Sequence, residues 1–275
     1  MKRRWFIKCL YLVILEFIFP KVGWSETTKN KGQKMKTILH KANTRGVADH
    51  GWLKSHHTFS FANYHNPERM GFGALRVIND DIVAANKGFG THPHQNMEII
   101  SVPLKGSLKH KDTMENEHVI KKGEVQAMSA GTGLQHSEYN NSNVEEVNFL
   151  QIWILPKKSN IKPNYSQKEF SESNRLNKAQ LVVSPDGREG SVEINQDAFF
   201  SLAKLDKDNK LSYSKFLKDN GLYFFILDGS FKINGELLEL RDGLGVENIN
   251  EVEISSKSDG EILIMEVPMK LNGRL

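Results

Sequence analysis

Short apolar runs rich in β-branched and aromatic residues recur along this chain, each closed by glycine, asparagine or aspartate. Clear examples span 97–104, 149–155, 222–227 and 262–267. Turn pairs fall between such runs at Lys105-Gly106, Lys122-Gly123, Asp228-Gly229, Asn234-Gly235 and Asp242-Gly243. Runs of this length punctuated by such pairs predict strands joined by tight turns. No window sustains a 3.6-residue period with caps, so helices are expected to be few and short. The expected fold is therefore all-β, of barrel or sandwich type. A length of 275 residues suits two domains of ordinary size.

A faint internal echo supports two domains. Lys105-Gly106-Ser107-Leu108-Lys109 is matched by Asp228-Gly229-Ser230-Phe231-Lys232, and a second glycine follows each, at Gly123 and Gly243. Two diverged copies of one β-domain account for both the echo and the length. The polar stretch 156–177, with Pro163 and several Lys and Ser residues, reads as their connection.

The N-terminus has a different character. Lys2, Arg3 and Arg4 precede an apolar stretch from Cys9 to Leu15, then Phe17, Ile18 and Phe19, and small residues Gly23 and Ser25 stand before Glu26. These are the three parts of a secretory signal peptide. Residues 1–25 are expected to be that leader and 26–35 a spacer. The first domain is then 36–165 and the second 166–275. The apolar stretch is too short for a stable membrane anchor. The mature chain is expected in the periplasm or outside the cell; a true start at Met35 would instead leave it cytoplasmic. The leader holds Lys2, Arg3, Arg4, Lys8 and Lys21 against Glu16, so it accounts for the whole net charge of +4. The remaining chain is neutral, which removes the electrostatic argument for nucleic acid. The single cysteine, Cys9, leaves with it, excluding disulfides, zinc ribbons and thiol catalysis.

All ten histidines lie between His40 and His136. A histidine-based site can therefore exist only in the first domain. His92 and His94 are two apart, and strand residues two apart share a face, so both imidazoles can reach one ion. His136 and Glu138 repeat that spacing downstream. About four strands of sequence separate the pairs, and a small barrel would bring them face to face across its interior. Three imidazoles and a carboxylate leave two open positions on a six-coordinate ion. That set suits iron, nickel, copper or manganese and is less typical of structural zinc. The competing reading for His92 and His94 is a pair of surface residues on a solvated strand. Glu98 falls on the same face counting by twos, as a further ligand, a group holding an imidazole N–H, or an exposed carboxylate. His110 and Asp112 follow the Gly106 turn at strand spacing, and either lie on an exposed strand or flank the mouth of a pocket. His56, His57 and His65, set among aromatics, are expected to be structural.

The stretch Gly88-Phe89-Gly90-Thr91-His92-Pro93-His94, followed by Glu98 and Gly106, resembles the first cupin motif. The second, Met128-Ser129-Ala130-Gly131-Thr132-Gly133 with His136-Ser137-Glu138, lacks the usual proline and is similar to the pirin branch of that superfamily. So is the upstream Gly51-Trp52-Leu53 with His57-Thr58-Phe59-Ser60-Phe61-Ala62-Asn63-Tyr64. The resemblance is strong over roughly 36–165 and weak beyond. It implies a bicupin, two β-barrel or jelly-roll domains in tandem, with one divalent transition metal in the first. The ion would be held by His92, His94, His136 and Glu138; iron is expected first, with nickel, copper, manganese or zinc also possible. It further implies a dioxygenase that cleaves a flavonol such as quercetin with O2 and releases CO; in such a reaction Glu138 is placed to take the substrate proton, and Glu98 and His110 are the supporting candidates from their spacing. Other pirins are transcriptional co-regulators, so a non-catalytic binding role is one alternative, and a zinc-dependent hydrolase is another. A small aromatic substrate, no nucleic acid and a monomer are the expected partners and state. No Gly-x-Ser-x-Gly elbow or dinucleotide-binding glycine pattern occurs.

Overall fold

The computed structural model describes residues 34–271. The expected leader and most of the spacer lie outside the described residues. Among the described residues there is no α-helix, only 3₁₀ turns at Ala42–Thr44, Glu172–Asn174 and Arg188–Gly190. The predicted runs appear as the strands Glu98–Lys105, Val147–Ile154, Asn220–Asp228 and Gly260–Pro268.

The strands build two copies of one arrangement. In the first half a seven-stranded sheet runs in the order Asn164–Glu169, Glu124–Ser129, Glu98–Lys105, Val147–Ile154, Leu75–Val83, Leu53–His57, Gly46–Asp49. A four-stranded sheet faces it, ordered Gly88–His94, Leu134–Asn140, Ser107–Asp112, Glu117–Lys121. In the second half the seven strands are Lys36–His40, Gly243–Glu247, Asn220–Asp228, Gly260–Pro268, Phe199–Leu205, Ala179–Ser184, Val192–Glu193. Its smaller sheet is Lys210–Ser214, Glu251–Ser256, Phe231–Ile233, Glu236–Leu238. The two orders match, as two cupin domains in tandem should, except at one outer edge, where Gly46–Asp49 is antiparallel to its neighbour and Val192–Glu193 is parallel.

The echoed glycines mark equivalent corners. Gly106 and Gly229 both take left-handed φ, 73° and 71°, where a long central strand turns into the smaller sheet. A Cβ on Gly229 would stand 2.3 Å from the Asp259 carbonyl oxygen, so only glycine fits there.

One feature departs from the tandem reading. Strand Lys36–His40, expected in the first domain, pairs with Gly243–Glu247 at the edge of the second domain's sheet. The stretch expected to be connection contributes Asn164–Glu169 to the first domain's edge, beside Glu124–Ser129. Each large sheet thus takes one edge strand from outside its own repeat. Edge strands need a partner for their backbone groups, and nothing local in the sequence says which sheet supplies it.

The two large sheets pack back to back. Ile78, Ile100, Leu150 and Ile152 from the first join Phe200, Tyr223, Phe225 and Leu263 from the second in one buried cluster. Alternate residues of the same strands point the other way, into the barrels. The second barrel is filled with Leu222, Phe224, Phe231, Ile254, Ile262 and Ile264. The first barrel has smaller apolar clusters, one around Leu108, Ile120 and Phe149 and one around Ile99, Met128 and Leu134. A continuous row of polar side chains also crosses its inner wall.

Candidate metal centre and its cavity

Strands Gly88–His94 and Leu134–Asn140 are antiparallel neighbours, with His92 directly opposite His136 and His94 opposite Leu134. The two histidine pairs are therefore adjacent in one sheet and do not face each other across the barrel as expected. Spacing fixes which face a residue takes but not which strands pair. The register shifts between His136 and Glu138, so that Glu138 stands opposite Phe89.

This pairing gathers three imidazoles. One ring nitrogen from each of His92, His94 and His136 lies within 4.8 Å of the others. Ring centroids are 4.4 Å apart for His92 and His136, and 4.9 Å for the other two pairs. His92 Nδ1–H donates to the Gly90 carbonyl at 2.7 Å, which leaves Nε2 as the free lone pair. Burial, with His92 beside it, holds the His94 imidazole down at about 4. Burial and the neighbouring His92, His94 and His110 push His136 lower still. Both rings are neutral at neutral pH, the form that binds metal.

Glu138 is fully buried and accepts from side chains on the opposite sheet. Ser101 Oγ donates to Oε1 at 3.2 Å and Gln151 Nε2 donates to Oε2 at 2.6 Å. Burial pushes the carboxyl up to about 7 against the pull of those two bonds. A carboxylate oxygen of Glu138 and ring nitrogens of His136 and His110 also lie within 4.8 Å of one another.

The residues present fit a metal ion. Both ring nitrogens of His136 are buried without a hydrogen-bond partner, in a side chain 1% exposed. A buried imidazole with neither nitrogen satisfied is costly, and a cation taking one lone pair removes much of that cost. Neutral nitrogen donors with a carboxylate beside them are a transition-metal set. The structure thus contains a His/Glu metal site.

Two supporting residues stand elsewhere than expected. Glu98 is buried, but its Oε2 accepts from Ser129 Oγ at 2.5 Å and from the Asn195 backbone N–H at 3.0 Å. It ties the first half to the second and holds no imidazole among the described residues. Counting by twos failed because residues 95–97 break the strand, and Glu98 opens a strand of the other sheet. His110 is wholly buried and not at a pocket mouth. Its ring lies 5.3 Å from His136 and 4.9 Å from Tyr165. Its Nε2–H donates to Asp112 Oδ2 at 3.0 Å, and Asn116 and the Met114 N–H hold Asp112 in turn.

His92, His94 and Glu138 line a cavity of about 530 Å³ together with Trp52, Phe61, Phe89 and Trp153 among others. The rings brace one another edge to face: Trp52 on Phe89 at 5.4 Å, Phe61 on Trp153 at 5.3 Å, and Trp153 on His94 at 5.0 Å. The opposite wall is polar. His57, Asn79, Gln151, Ser101 and Gln126 occupy one row across five paired strands. In the second barrel a row reads Ser201, Ile264, Phe224 and Leu244. Sequence reasoning missed Ser101, Gln151, Asp81 and Trp153 and treated His57 as structural. The available signal was Gln151 interrupting an apolar strand, and Asn79-Asp80-Asp81 interrupting another.

A model of the pirin family matches residues 39–154, and one described as the quercetinase C-terminal cupin domain matches 181–267. The quercetin 2,3-dioxygenase of Escherichia coli (strain K12) is 45% identical over 230 residues, covering 84% of this chain and 98% of that protein. A pirin-like protein of Caulobacter vibrioides is 38% identical over 222 residues, 80% of this chain and 95% of that one. The crystal structure of the bacterial pirin YhhW from Escherichia coli in complex with nickel(II) aligns with a TM-score of 0.80 at 43% identity. That alignment covers 85% of this chain and 99% of that one. With both barrels matched and relatives aligned over most of its length, the chain belongs to the pirin family.

Proposed function

We propose that this chain is a metal-dependent dioxygenase that cleaves a flavonol such as quercetin with O2 and releases CO. His92, His94, His136 and Glu138 would hold the ion, with iron the first choice and nickel, copper, manganese or zinc able to compete. The observation that carries the reading is a triad of imidazoles, two of which line an aromatic-walled cavity together with the buried Glu138 carboxyl. When bound, the ion supplies Lewis acidity that acidifies a substrate hydroxyl and a redox-capable centre for dioxygen. The residues supply the rest. Glu138, a buried carboxyl on the cavity wall beside the imidazoles, would take the phenolic proton that the ion acidifies. Ser101 and Gln151 each fix one of its oxygens, so the proton is received at a set position. Trp52, Phe61, Phe89 and Trp153 give a flat substrate two aromatic faces and exclude water from the reacting ring.

Aerobic incubation of metal-loaded protein with quercetin tests this. Loss of the flavonol absorbance with release of CO is the expected result. Glu138→Gln, with metal content checked, should lower kcat by about 10²–10⁴-fold. No absorbance loss and no CO, with metal confirmed bound, would overturn the reading.

A further inference from the structure

Beyond Gln151 the polar wall of the cavity continues on two more strands. Ser55 and His57 stand directly opposite Asp81 and Asn79, and all four line the cavity. Asn79 is also opposite Gln151, the residue that holds Glu138. Adjacent strands lie ~4.8 Å apart, so Asn79 and His57 stand roughly 5 and 10 Å along the row from Gln151.

The hydrogen bonds among the four leave particular groups unused. His57 Nδ1–H donates to Asn79 Oδ1 at 2.8 Å, with Ser55 Oγ 3.3 Å from the same nitrogen. The imidazole proton is thereby committed, and His57 has only the Nε2 lone pair to offer a ligand. Asn79, having accepted through its oxygen, keeps its NH2 donors. Ser55 stands directly opposite Asp81 and opposes the rise of its carboxyl. Asp81 Oδ1, in a side chain only 2% exposed, has no partner at all. A buried carboxyl oxygen without a donor is destabilising. The ion and Glu138 are held by other residues, so neither accounts for it.

We propose that Asp81, with Ser55, His57 and Asn79, forms a hydroxyl-recognition subsite. It selects aromatic substrates that carry hydroxyls on a ring other than the one reacting at the metal. A ring hydroxyl donates to Asp81 Oδ1, while the Asn79 NH2 and His57 Nε2 are placed for a second. A substrate without such hydroxyls leaves the buried carboxyl unpaired, and a site built for hydrogen bonds discriminates strongly on that ground. The inference rests on the flavonol reading for the substrate's framework and adds which end of it the protein inspects.

Binding measured without oxygen separates the two. Metal-loaded protein is titrated anaerobically with quercetin and with 3-hydroxyflavone, which keeps only the hydroxyl beside the carbonyl. The wild type should bind quercetin roughly tenfold more tightly or better. Asp81→Ala should bring the two affinities together. The isosteric Asp81→Asn, which retains an oxygen, should fall between and serves if the alanine variant does not fold. Equal wild-type affinities, binding of neither compound, or an unchanged preference in Asp81→Asn would overturn the subsite. Preference lost in the variants with no turnover in the wild type would leave the subsite standing and remove only the dioxygenase reading.

Discussion

At the scale of single residues, the centre depends on side chains that are poor choices for stability alone. His136 buries two unpartnered nitrogens, and each such group costs about 1–3 kcal/mol. An ion that binds only the folded chain offsets this and raises the melting temperature. Metal-loaded protein is therefore expected to melt several degrees above chelator-treated protein, by roughly 2–4 °C per kcal/mol. His136→Ala should abolish the difference and reduce bound metal to near zero by elemental analysis. Equal melting temperatures with and without metal in the wild type would count against the site. Asp81 gives a prediction with a definite sign. Burial, chiefly, raises its carboxyl from 3.8 to about 7, with Asp80 and Glu138 adding and Ser55 opposing. The folded chain therefore keeps a proton that the unfolded chain has released, and stability falls as pH rises from about 4 through 7. Asp81→Asn has no proton to lose. Its advantage over the wild type in urea should be at least about 1 kcal/mol at pH 8 and should vanish near pH 4. An advantage independent of pH would exclude this cause.

At the scale of elements, strand Leu75–Val83 serves two surfaces at once. Asn79 and Asp81 face the cavity, while Asp80 points to the other half of the molecule. Asp80 Oδ2 accepts from Arg45 at 3.2 Å and from Arg241 at 3.0 Å, and Asn148 donates to Oδ1 at 2.8 Å. Burial pushes this carboxyl up, but Arg241, Asn148 and Arg45 together outweigh it and hold it below its ordinary 3.8. The stability it contributes is present above that value and is lost as pH falls through the lowered one. Asp80→Ala leaves two guanidinium groups poorly compensated, Arg45 being only 6% exposed. It should cost about 3–5 kcal/mol in denaturant titrations at pH 7; a loss below 1 kcal/mol would show that water takes over the pairing. Strands of this kind were legible in the sequence as apolar runs between turns, and the three histidines with Glu138 were legible from spacing and motif. Pairing was not. That His92 lies beside His136, and that Glu98 turns to Asn195, depend on register between distant segments, which no local pattern encodes. The polar wall was hidden for a related reason. Gln151 and Ser101 look like interruptions of core strands until the row they form across the sheet is seen.

At the scale of the molecule, the two repeats do not behave as beads on a string. Each large sheet borrows an edge strand from outside its repeat, Lys36–His40 in one case and Asn164–Glu169 in the other. The buried cluster between the sheets draws on both halves. Arg241 pairs with Asp80 at 3.0 Å, and the Asn195 N–H donates to Glu98, across the same seam. Among the described residues the second barrel gathers no cluster of metal-ligating side chains, and its interior is apolar. It covers the back of the sheet whose front carries Gln151 and Ser101, and so keeps Glu138 in place. Cutting the chain between the repeats would expose Ile78, Ile100, Leu150 and Ile152 on a flat sheet face, a surface prone to aggregation. Residues 41–170 expressed alone should accordingly be insoluble or bind hydrophobic dyes, even though they contain every proposed metal ligand. The full chain should unfold in one transition, with tryptophan fluorescence and far-ultraviolet circular dichroism coincident. Fluorescence reports only the first half in the described region, through Trp52 and Trp153, whereas dichroism reports both sheets. Two separated midpoints would mean that the repeats fold independently and that the second barrel does not support the centre.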